Sequence, residues 1–212
     1  MRYPFAEVRS HYEILKRLIY EASSKHPTKW VSPYCEIDWN NLFTPIEDQT
    51  WQAIRCYGKT PLYPQYPVGN YFIDFGNPVE MVGIECDGKE WHLDKARDNN
   101  RDMDLLKMGW HIYRIPGSDC FRQCELYFDR YDYDEEDTFN ILRDYYSTIE
   151  GLLKAIGTLY FGQLMVDYKI GELDLVHKCL REYISPAQKD AIQDNISERI
   201  CSIANKLYEE VS

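Results

Sequence analysis

Residues 71–115 read YFIDFGNPVEMVGIECDGKEWHLDKARDNNRDMDLLKMGWHIYRI, and the hydrophobic period changes twice within them. YFIDF (71–75) and MVGIECDG (81–88) are rich in β-branched and aromatic residues, with Gly76-Asn77-Pro78 between them, so they predict two strands. A helix is expected over about 92–108, and WHIYRI (110–115) predicts a third strand. Upstream lies TPIEDQTWQAIRCYG, in which Thr44 can cap a helix, Pro45 takes its first position and Glu47 stands three residues after the cap. Helix, strand, strand, helix, strand implies an α/β core, a mixed sheet flanked by helices.

Outside this core the chain reads as helical. Val8, Ile14, Leu15, Leu18 and Ile19 form an apolar stripe from Phe5 to about Ser23, and a loop rich in Pro, Asn and aromatics follows it. Beyond Phe121 strand signals vanish. After a charged break at DRYDYDEED (129–137), Leu142, Tyr145, Ile149, Leu152 and Ile156 make one stripe and Ile192, Ile196, Ile200, Ile203 and Leu207 another. Ser185, Pro186 and Gln188 are start signals for the last helix. The expected organisation is an N-terminal helix and loop (1–43), the α/β core (44–128) and an appended C-terminal helical subdomain (129–212).

The 212 residues carry 24 Lys+Arg against 35 Asp+Glu, a net charge of −11. The excess is uneven: 15 against 17 in residues 1–123 (−2), and 9 against 18 in 124–212 (−9). Acidity therefore argues against nucleic-acid contact only in the second half. No apolar run reaches the roughly 18 residues of a membrane span, and MRYPFAEVRSHYEILKRL has no secretory h-region. The seven cysteines lack finger spacing, and Cys120 and Cys124, four apart, are assigned to packing. A reducing cytoplasm is the expected location.

The chemistry concentrates in carboxylates. Period two puts Val82, Ile84 and Cys86 on one face of their strand and Glu85 and Asp87 on the other. Two such carboxylates repel by roughly 3 kcal/mol at an effective dielectric of 20, so a cation is expected beside them. Asp74, facing away from Tyr71, Ile73 and Phe75, would supply a third. Hard oxygen ligands suit Mg²⁺ or Mn²⁺.

"TPIEDQTWQAIR", "YFIDF", "MVGIECDGKEWH" and "RDMDLLKMGWHIYRI" together resemble the PD-(D/E)xK nuclease superfamily. The similarity covers about residues 44–122 and is greatest to small bacterial domains related to the very-short-patch-repair endonuclease. It implies a restriction-endonuclease-like fold and a metal-dependent endonuclease acting on DNA, in repair, restriction or defence. Glu47, Asp74 and Glu85 would hold the metal. The branch's E-x-D-G signature matches Glu85, Asp87 and Gly88, and its helix and strand signature matches Arg101, Asp102, Leu105, Gly109, Trp110 and Arg114. His92 becomes a candidate proton donor or phosphate contact. Asp87 stands where the superfamily has Lys, so it is either a further ligand or a loss; Lys89 first, then Arg101, would replace the missing cation.

Each residue also has a structural reading. Glu47 suits a capping box, Asp87-Gly88 a turn, and Arg97 and Arg101 pairing with Asp94 and Asp98 along a helix. Geometry separates the readings. A tight hairpin over Phe75–Val79 would leave Glu85 roughly 16 Å from Asp74 along the strand, too far for one ion. Two alternatives stand beside a DNA endonuclease: a catalytically inactive nuclease-like binding or assembly module, and an RNA-directed nuclease. The C-terminal helices would serve a homodimer or a protein partner.

Overall fold

The computed structural model describes residues 5–33, 37–56, 60–88, 95–122, 135–162 and 170–211. Helix α1 (Phe5–Lys25) leads through a 3₁₀ turn at Trp39–Asn41 to α2 (Pro45–Cys56). Strands β1 (Tyr63–Val68), β2 (Tyr71–Asn77) and β3 (Val82–Asp87) follow, then α3 (Lys95–Lys107) and β4 (His111–Pro116). The short α4 (Gly117–Cys120) precedes α5 (Glu135–Tyr146), α6 (Ile149–Phe161), α7 (Ile170–Tyr183), a 3₁₀ turn at Pro186–Gln188 and α8 (Lys189–Val211).

The sheet is mixed, in the order β1-β2-β3-β4, antiparallel except for the parallel pair β3/β4. α3 is the crossover that parallel pairing requires. β1 is a strand that the sequence reading did not expect. Pro64 and Pro67 argue against a strand, but β1 is an edge, where a missing N–H is tolerated. β2 also runs past the predicted break to Asn77. The turn is formed by residues 78–81, and Asn77 Oδ1 accepts from the amides of Val79 and Glu80, at 2.9 and 3.0 Å.

Two cores sandwich this sheet. On one side Val8, Tyr12, Leu15 and Ile19 of α1 and Leu105 of α3 pack with Tyr66, Ile73, Trp110 and Ile112. The expected α1 stripe is thus rotated: Ile14 and Leu18 are 66% and 46% exposed, and Tyr12 takes the inward position. On the other side Trp51 and Ile54 of α2 pack with Phe75, Ile84, Tyr113 and Ile115. The same cluster continues through Leu142, Ile156, Leu180 and Ile196. The C-terminal helices therefore share one core with the sheet. α6, buried all round, sits at its centre, started by Thr148, whose hydroxyl accepts from the Gly151 amide at 3.2 Å. The long apolar stripe read from Leu142 to Ile156 is split between α5 and α6 at this cap. Among the described residues no helix is long and apolar enough to cross a membrane.

Candidate active site

The decisive register is that of β2 and β3. Asn77 faces Val82, Gly76 faces Gly83 and Phe75 faces Ile84, where the ladder ends. Asp74 lies just beyond it, near enough for its charge to act on the Glu85 carboxyl. Because the turn lies at 78–81 rather than at 76–78, the roughly 16 Å separation of a tight hairpin does not arise. Asp74 is fastened to the neighbouring strand, its Oδ2 accepting from the Cys86 amide at 2.8 Å.

Strict alternation fails at Asp74. Ile73 lies in the α1/α3 core and Phe75 in the α2 core, so the two do not share a face as the sequence reading assumed. Across from this position Gln65 of β1 has φ 46°, left-handed for a non-glycine residue, and Tyr63 and Tyr66 on either side of it pack into the same core. Such a local break re-aims side chains. Here Asp74 meets Gln65 of β1 and the Cys86 amide of β3, the strands on its two sides. The buried Gln65 amide donates to Asp74 Oδ1 at 3.3 Å and to Glu47 Oε1 at 2.9 Å. Gln65 had no signal in the sequence, since a glutamine in an unrecognised strand reads as surface.

Glu47 comes from α2 and fulfils its structural role as well. Its Oε2 accepts from the Thr44 amide at 2.6 Å, and its own amide donates to Thr44 Oγ1 at 3.4 Å, a complete capping box. Cap and site coincide, with Oε1 left for Gln65. Glu85, buried on β3, takes a bidentate pair from Arg101 of α3 at 3.0 and 2.5 Å, and the same guanidinium donates to the Phe72 carbonyl. Arg101 therefore reaches the sheet instead of pairing with Asp98 along its helix.

Asp87 belongs to a second cluster. Arg114 of β4 donates to Asp87 Oδ1 and to Asp102 Oδ2, both at 3.0 Å. The cations that the paired carboxylates demanded are thus Arg101 for Glu85 and Arg114 for Asp87. Cys86 points to the other side, where its thiol meets Thr50 Oγ1 at 3.3 Å and the Cys120 thiol. Cys120 is buried, so its assignment to packing holds, with Cys86 as neighbour; Cys124 lies outside the described residues. Lys89 and His92 also lie outside the described residues.

Burial, and then the charge of Glu47, push the Asp74 carboxyl up to about 7. Burial pushes Glu85 up to about 8, against the opposing pull of Arg101. Raised carboxyls mark charge that is under-compensated, and such perturbation concentrates at functional sites. Among the described residues, no three His, Cys, Asp or Glu side chains are grouped as a ready metal cage. Carboxylate oxygens are the donor type that Mg²⁺ takes, commonly one or two with water and phosphate completing the shell, and Asp74 and Glu85 would be the ones to hold it.

Residues 46–130 match the family REase_MTES_1575. The chain is also similar to the uncharacterized protein YcjD of Escherichia coli (strain K12), at 30% identity over 80 residues, covering 37% of this chain and 68% of that protein. The chain belongs to the restriction-endonuclease-like REase_MTES_1575 family. No solved structure matches it. The REase_MTES_1575 segment runs from α2 past β4 and takes in Glu47, Asp74, Glu85, Asp87, Arg101 and Arg114, every described candidate residue. The helices that complete the α2-side core, α5 to α8, lie beyond it.

Proposed function

We propose that this chain is a metal-dependent endonuclease that hydrolyses phosphodiester bonds of DNA, in repair, restriction or defence, and that it stands near the very-short-patch-repair branch of its superfamily. The observation that carries this reading is Asp74 fastened to the Cys86 amide, next to Glu85 on β3, with Arg101 clamped onto Glu85.

Asp74 and Glu85 would hold Mg²⁺ or Mn²⁺, with Glu47 close by through Gln65 and Asp87 as a further candidate. When bound, such an ion polarises a phosphoryl oxygen and lowers the pKa of a coordinated water. The chain's own groups do the rest. The Cys86 amide and Gln65 fix the orientation of Asp74, and the Phe72 carbonyl anchors the Arg101 guanidinium beside the carboxylates. A cation held there stabilises the negative charge that develops at phosphorus. Arg101, the second choice from sequence, thereby takes the role of the absent third-strand Lys. Lys89 and His92 remain candidates for phosphate contact or proton donation.

One observation favours a catalytically inactive binding module instead: Arg101 engages both oxygens of Glu85, so a cation is already in place there. The test separates the two. The purified chain is incubated with duplex DNA, single-stranded DNA and RNA in Mg²⁺ or Mn²⁺, and Mn²⁺ is titrated calorimetrically. Ion-dependent cleavage that Asp74→Ala and Glu85→Ala abolish, with unchanged circular dichroism, supports the endonuclease, and the preferred substrate assigns DNA or RNA. Undiminished cleavage by both variants rejects the site. No ion binding and no cleavage leaves the module.

A further inference from the structure

The exposed edge of β4 is closed by the segment between α7 and α8. Ile184 bridges Tyr113, and the Ser185 amide donates to the Ile112 carbonyl at 2.9 Å. The Ile112 amide is in turn taken by Gln188 Oε1 at 2.8 Å. The other end of the same side chain, Nε2, donates to the carbonyl of Asp102 in α3 at 2.6 Å. One amide thus ties β4 to α3, and since its oxygen must face an N–H, its orientation is determined.

Asp102 is the next link. Its Oδ2 accepts from Ser185 Oγ at 2.5 Å and from Arg114 Nε at 3.0 Å. Arg114, two residues beyond Ile112 and therefore on the same face of β4, passes its Nη1 to Asp87. Ser185 and Gln188 are 0% exposed and Asp102 is 1% exposed, so water does not substitute for these donors. A charge-assisted, buried chain of this kind is stiff in geometry and costly to break.

We propose that Ser185 and Gln188 are positioning residues of the carboxylate site: they hold Asp102, Asp102 holds Arg114, and Arg114 sets where Asp87 and the end of β3 lie. The C-terminal helical region is then part of the catalytic apparatus, acting through two residues that lie outside the family segment. The consequence for function rests on the metal-site reading above. General packing of the helices against the sheet would predict a loss of overall stability alone. Positioning predicts a specific effect at β3.

The test uses the full chain with Ser185→Ala, Ser185→Thr and Gln188→Ala. Two quantities are read: hydrogen exchange of the Glu85–Asp87 amides without metal, and Mn²⁺ affinity from the electron paramagnetic resonance of the free ion. Ser185→Ala and Gln188→Ala should raise exchange at Glu85–Asp87 at least fivefold while α6 amides keep their protection. Both should weaken Mn²⁺ binding at least threefold, and Ser185→Thr, which keeps the hydroxyl, should restore wild-type values. Wild-type exchange in both alanine variants overturns the inference, as does unchanged Mn²⁺ affinity where the wild type binds the ion. A wild type that binds no Mn²⁺ sinks the metal reading, and exchange at β3 then decides the positioning claim by itself. If Ser185→Ala does not fold, Ser185→Cys, a weaker donor of similar shape, takes its place.

Discussion

Replacing Arg101 with Met removes the cation from Glu85 while keeping an unbranched side chain for packing. The pair is well shielded, with side-chain exposures of 23% for Arg101 and 6% for Glu85. At pH 6 Glu85, which titrates at about 8 in the folded chain, carries a proton in both proteins. The loss there is that of hydrogen bonds to Glu85 and Phe72, about 1–3 kcal/mol. At pH 9 the wild type holds an ionised, paired Glu85. The variant must bury a lone anion or keep the proton against the pH, because losing Arg101 moves the carboxyl further up. The destabilisation at pH 9 therefore exceeds that at pH 6, by on the order of 1 kcal/mol. Urea unfolding followed by tryptophan fluorescence at the two pH values measures both numbers. A pH-independent loss, or one that shrinks at high pH, would refute the assignment of Arg101 as the cation that holds Glu85 ionised.

The wild-type protein, free of metal, should lose stability as pH rises from about 4.5 to about 8. Asp74 and Glu85, raised to about 7 and about 8, keep protons in the folded chain that the unfolded chain has released. Both carboxyls act in the same direction, so the loss accumulates across that window and levels off once the folded chain has released both protons. Thermal melts across this range check the sign, and added Mn²⁺ should flatten the high-pH end. Gly83→Ala should cost about 1–3 kcal/mol in urea melts, since an added Cβ would lie 2.6 Å from Ile73 Cγ2 and 3.2 Å from Ile112 Cδ1. Gln65→Ala should leave Asp74 without its side-chain donor and weaken Mn²⁺ binding severalfold in calorimetry; an unchanged affinity would reduce Gln65 to a packing residue.

Local physics made much of this molecule readable from the chain alone. The capping box at Thr44 and Glu47 and the apolar face of Val82 and Ile84 each depend on neighbours within a few residues, and both are present as expected. Ser185 to Gln188 do precede the last helix, but as a 3₁₀ turn whose Ser185 makes no side-chain cap bond and gives its hydroxyl to Asp102 instead. What tertiary structure decided is long-range. β1 exists because an edge position excuses its prolines, and Asp74 comes near Glu85 because the turn sits at 78–81. Arg101 found its partner across a layer rather than along its helix, Arg114 joined the neighbouring strand to α3, and Ser185 reached Asp102 across 83 residues of chain. A one-residue change of register or rotation redirects a whole set of side chains, and only the packing of both faces selects among the registers that local preference allows.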